Sequence, residues 1–82
     1  MKGEIVERVV EFLATEIAED GDAVEVTIVE EGPDEVLAEV RAAKGDMGRL
    51  IGRRGRVARA IRSVAQVAAE EEGLDASVEF VD

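Results

Sequence analysis

The 82-residue chain contains no cysteine, histidine, tryptophan or tyrosine. Without cysteine there is no disulfide framework, thiolate zinc site or cysteine nucleophile. Without histidine the commonest metal ligand and the commonest general base are both missing. Thr15, Thr27, Ser63 and Ser77 therefore have no imidazole to activate them. No Lys-Ser or Lys-Thr pair follows the glycines, as a Walker A loop would require, and Glu70, Glu71 and Glu72 lack the spacing of a calcium loop. The expectation is a non-enzymatic protein with no cofactor, no metal and no small-molecule substrate. No apolar run approaches the length of a membrane span. The start, MKGEIVERVVEF, carries acids inside its first helical turns, unlike a signal peptide. A cytoplasmic protein without a membrane partner is expected.

The residues present are mostly aliphatic or acidic. The apolar fraction is 46%, largely Val, Ala, Ile and Leu, and the aromatics are Phe12 and Phe80 alone. A chain this short has one modest core and gains from a partner chain. Its formal charge is −10, but unevenly placed. From Arg41 to Arg62 eight cations stand against one acid, Asp46, a local +7; the remainder has two cations against nineteen acids, −17. A ligand responds to local potential, and a Debye length of about 8 Å at physiological salt screens distant charge.

Periodicity gives an element order of αββααβ. Residues 2–19 carry Ile5, Val6, Val9, Val10, Phe12, Leu13 and Ile17 at helical spacing. Residues 23–30 and 35–42 alternate as two strands of a hairpin around Gly32 and Pro33. Asp46 is placed to cap a short helix over 47–51. A long helix over 56–72 puts Val57, Ile61, Val64, Ala65 and Ala68 on one stripe and Arg56, Arg59 and Arg62 on the other, with Gly73 closing it. Residues 74–82 form the last strand. Phe12 and Phe80 fall at positions expected in the core.

The two helices meet at Gly52-Arg53-Arg54-Gly55. Glycine permits a sharp turn and close backbone approach. The long helix begins here with unpaired N–H groups and the positive end of its dipole, which suit a phosphate. The bland alternative is that the arginines form a solvated helix face pairing with the many glutamates.

The stretch GDMGRLIGRRGRVARAIRSVAQVAA resembles the signature of a KH domain, with Gly48, Leu50, Ile51, Gly52, Gly55, Arg56, Val57 and Ile61 in the matching places. The element order is that of the type II form, and nearly the whole chain resembles the small bacterial proteins of the KhpA family. The resemblance implies an α+β fold: a two-layer αββααβ unit over residues 1–82, a three-stranded sheet covered by helices, and a GXXG loop between the second and third helices. It implies binding of single-stranded RNA. Gly52, Arg53, Arg54 and Gly55 would meet phosphate, with Arg49, Arg56, Arg59 and Lys44 nearby. Gly48, Leu50, Ile51, Val57, Ala58 and Ile61 would build or support an apolar groove, with Leu50, Ile51 and Ile61 expected in the core first. With so few aromatics, bases would be read by groove shape and by backbone groups of residues 36–42. Regulation of many transcripts or RNA chaperoning would follow. Self-association, or pairing with a larger KH-containing protein, is also expected. The rival reading is a protein-interaction module of KH-like fold with little RNA affinity.

Overall fold

A computed structural model describes residues 2–81. It contains helix α1 (Glu4–Ile17), strands β1 (Glu25–Gly32) and β2 (Glu35–Arg41), helices α2 (Met47–Ile51) and α3 (Arg56–Glu70), and strand β3 (Asp75–Phe80). The αββααβ order and the α+β class agree with the sequence expectation. Met1 and Asp82, which that expectation included, lie outside the described residues.

The sheet order is β1-β2-β3. Pro33 and Asp34 link β1 to β2, which pair antiparallel from Glu25 opposite Arg41 to Gly32 opposite Glu35, with a bulge between Glu30 and Gly32. β3 returns parallel to β2, Val36 opposite Ala76 and Val40 opposite Phe80. Parallel neighbours need a long crossover, and α2 and α3 supply it. One sheet face meets α1 and α3. Val36, Ala38 and Val40 of β2 are buried there with Val26 and Val78 from the flanking strands. α3 buries Ala58, Ala65, Ala68 and Ala69 beside Ile61. Small side chains let it lie close to α1 and the sheet.

Phe12 departs from expectation. It is 65% exposed, not in the core. Residues two apart on a helix are about 200° apart, and Val10 and Ala14 are both fully buried, so Phe12 must point outward. Val67, between fully buried Ala65 and Ala69, is 63% exposed for the same reason. Val64 is also exposed, whereas Phe80 packs partly buried against the core.

The acids do more structural work than their spacing implied. The Glu72 carboxylate accepts from the N–H groups of Gly3 at 3.1 Å and Ile5 at 3.0 Å. A residue from the last loop thus caps the first helix. At the C-terminal end of α3, Gly73 takes the left-handed conformation (φ 70°). Its N–H meets the Glu70 carbonyl, and that of Leu74 meets the Ala69 carbonyl, the paired closure expected of glycine there. Asp46 does not cap α2 with its side chain. Its buried carboxylate accepts from the N–H groups of Asp20 at 2.9 Å and Glu19 at 3.0 Å, tying the end of α1 to the start of the crossover.

Among the described residues Asp46 is the buried charged one. The backbone N–H of Asp20, then that of Glu19, holds its carboxyl below the usual carboxylate pKa, with Arg49 adding to the effect and burial opposing it. A depressed folded pKa contributes stability that is present above the unfolded value, 3.8, and is lost as pH falls through the folded one. Denaturation midpoints should be flat in this contribution near neutrality and fall below about pH 4. Asp46→Asn should lower the neutral-pH midpoint and flatten part of that acid limb, as read by denaturant titration across the acid range.

Candidate nucleic-acid interface

α2 closes with the Gly52 N–H on the Gly48 carbonyl at 2.8 Å. Gly52 then turns the chain with φ 76° and ψ 169°. A Cβ here would overlap Val57 Cγ2 and come within 2.9 Å of the Val57 nitrogen. Both backbone angle and space therefore demand glycine. Gly55 also has positive φ, 71°, but a Cβ there would meet only the tip of Arg59 at 3.9 Å. Between them Arg54 is held at φ 57°, ψ 24°, a left-handed conformation costly for a residue with a side chain. α3 then starts at Arg56 with no side-chain cap. The Arg56 N–H is taken by the Arg53 carbonyl, and the positive end of the α3 dipole lies beside the turn.

The cations divide into two sets. Arg53, Arg54, Arg56 and Lys44 are exposed, and none forms an ion pair among the described residues. Arg49 is engaged with Glu19 at 3.4 Å and Asp46 at 3.5 Å. Arg59 donates from Nη1 to the Arg54 carbonyl at 3.1 Å and braces the turn. Pairing with acids thus accounts for Arg49, and for Arg41 beside Glu39 at 3.8 Å, but not for the cations of the turn itself.

Of the expected groove residues, Leu50, Ala58 and Ile61 are buried and can shape a surface only from beneath. Ile51 is 43% exposed, contrary to its expected core position. It lies with exposed Gly48 and half-buried Val57 beside the turn.

Backbone reading cannot occur where the sequence placed it. β2 is the central strand, in register with β1 on one side and β3 on the other, so residues 36–41 have no open edge. β3 has one. The N–H groups of Asp75 and Val81 donate to the carbonyls of Asp34 and Val40. In a parallel ladder alternate residues face the same neighbour, so Ala76, Val78 and Phe80 turn their backbone groups to the open side. α3 runs alongside. Arg62 Nε donates to the Val78 carbonyl at 3.2 Å, and its guanidinium lies 5.8 Å from the Phe80 ring centroid. Arg62 was left out of the sequence-derived site. Its signal was the i, i+3 recurrence with Arg59 on the polar face of α3; what the sequence did not supply was that this face meets β3.

The sequence model of the KhpA/KhpB KH domain matches residues 7–80. A protein of Caldanaerobacter subterraneus named RNA-binding protein KhpA is 36% identical over 72 residues, covering 88% of this chain and 95% of its own. One of the same name from Borreliella burgdorferi is 33% identical over 73 residues, covering 89% and 88%. Among solved structures, a crystal structure of Aquifex aeolicus Era bound to GDP.AlF4- superposes with a TM-score of 0.66 at 19% identity, covering 93% of this chain and 30% of that one. That likeness is one of fold.

The two glycines should respond differently to substitution. Gly52→Ala combines a positive-φ, extended-ψ backbone open essentially to glycine alone with steric overlap, and should destabilise by about 3 kcal/mol or more. Gly55→Ala meets only the backbone penalty, about 1–2 kcal/mol. Arg54→Gly should stabilise the chain by up to about 1 kcal/mol by relieving φ. Chemical denaturation of the three variants checks the order.

Proposed function

The chain belongs to the KhpA/KhpB KH-domain family, and from that premise we propose that it binds short single-stranded RNA without catalysis. Phosphates sit at the Gly52–Gly55 turn, and bases lie between the α2–α3 side and the open edge of β3. The observation carrying this reading is the turn itself, where Arg53, Arg54 and Arg56 are exposed and unpaired at the uncapped start of α3. The relatives named as RNA-binding proteins support the ligand class. Arg49 and Arg59 position the turn, Lys44 adds attraction, and Gly48, Ile51 and Val57 offer the apolar surface above buried Leu50, Ala58 and Ile61. Few phosphates are held and few base edges reached, so the consensus is short and loose. Such a protein acts on many transcripts, as a post-transcriptional regulator or RNA chaperone in the cytoplasm, and residues 1–82 work as one KH unit.

A second property rests on the exposed apolar side chains of the two helices that pack together. Ile5 and Phe12 on α1, and Val64 and Val67 on α3, are uncovered in the isolated chain. We propose that this outer helical face joins a second copy or a larger KH-containing protein. It is compatible with RNA binding, because the turn and the β3 edge remain open. An interaction module with little RNA affinity is the outcome if the first test below fails while this association holds.

Replacing both Arg53 and Arg54 by Asp should abolish RNA binding in a folded protein. For the unmodified chain, with about three phosphates neutralised, log K against log salt should have a slope near −2, from roughly −0.7 per phosphate. Fluorescence anisotropy with short RNA over a salt series reads both, and unchanged affinity in the double variant would refute the reading. Phe12→Glu should shift sedimentation of the free protein toward monomer.

A further inference from the structure

The open edge of β3 is not open along its whole length. The Ala76 N–H, which faces that edge, donates to Gln66 Oε1 at 2.9 Å. The other end of the same amide, Gln66 Nε2, donates to Asp75 Oδ1 at 3.0 Å. A backbone N–H can only donate and a carboxylate can only accept, so the two contacts fix the amide in one orientation. Gln66 stands one turn beyond Arg62 on α3, in line with Arg59 and Arg62 from the turn. One further turn brings Glu70, followed by Glu71, both exposed. The local charge therefore changes sign just past Gln66.

We propose that Gln66 is a positioning residue that ends the RNA groove and sets how many nucleotides the chain reads. The proposal rests on the RNA reading above. The edge left for bases is the Val78–Phe80 stretch, two residue steps along a strand and about 7 Å long, where Arg62 already takes the Val78 carbonyl but leaves the Val78 and Phe80 N–H groups. Beyond it Gln66 occupies the next outward donor, and the acids repel a continuing phosphate backbone. A purely protective role, shielding an edge strand from another chain, would use the same hydrogen bonds but would leave the RNA footprint unchanged.

The test uses the full chain and RNA of three to eight nucleotides with randomised bases. In amide NMR titrations of the unmodified protein, the turn residues, Val78 and Phe80 should shift while Ala76 stays in place. In Gln66→Ala, Ala76 should join the shifting set. The affinity should then keep rising for one nucleotide more before its plateau, by about fivefold. Gln66→Glu combined with Asp75→Asn, which retains an acceptor for the Ala76 N–H and a donor–acceptor pair between the two side chains, should keep the original set. Ala76 shifting with Val78 in the unmodified protein, or an unchanged set and plateau in Gln66→Ala, overturns the proposal. So do shifts confined to the turn, which leave RNA binding standing; absence of any shift at turn or strand removes both readings together.

Discussion

The parallel pairing of β2 with β3 fixes almost everything else. β1 reaches β2 through a two-residue link and fills one side of it. β3 must then take the other side, and in the parallel sense it can do so only after the chain has crossed back over the sheet. Residues between Arg41 and Asp75 make that crossing. They hold both α2 and α3 and the glycine turn between them, so the turn sits where the crossover reverses. The same pairing makes β3 an edge strand with α3 beside it. The glycine turn and the strand edge are two consequences of one topological choice.

Charge follows the same division. The crossover carries the local excess of cations, and the rest of the chain is acidic. Some acids serve the fold directly: Glu72 caps α1 and Asp46 binds the backbone at Glu19 and Asp20. Most of the others are exposed and leave a polyanion little to hold except near the turn. At physiological salt their repulsion decays within about 8 Å. An acidic chain can thus keep a confined site for a short anion while discouraging wrapping by a long one.

Local pattern made the elements and the turn legible. Alternation identified β1 and β2, helical spacing identified α1 and α3, and the Gly-Arg-Arg-Gly sequence identified the turn between α2 and α3. What was hidden depended on partners distant in sequence. Phe12 looked internal because the apolar face of α1 is broad, but burial of Val10 and Ala14 leaves no room for it inside. Asp46 looked like a local cap because nothing near it in sequence offers its true partners, the N–H groups at the end of α1. The strand expected to offer a free edge was misplaced for a related reason. Both β2 and β3 alternate, and only the sheet order tells which has a free edge.

The helix ends differ in how their backbone groups are satisfied, and the proposed ligand site follows from that difference. The start of α1 is satisfied by the Glu72 carboxylate. The end of α3 is closed by the N–H groups of Gly73 and Leu74. The start of α3 has no side-chain cap. In place of a serine or aspartate, the chain puts Gly55 there, preceded by an arginine in a strained conformation. A capping side chain would stabilise the helix but would occupy the N–H groups that an anion needs. Where the chain could satisfy its own backbone it did so, even by reaching from the last loop to the first helix. The start of α3 has no such side chain, and Arg53, Arg54 and Arg56 around it are unpaired among the described residues, which is the arrangement the proposed anion site rests on.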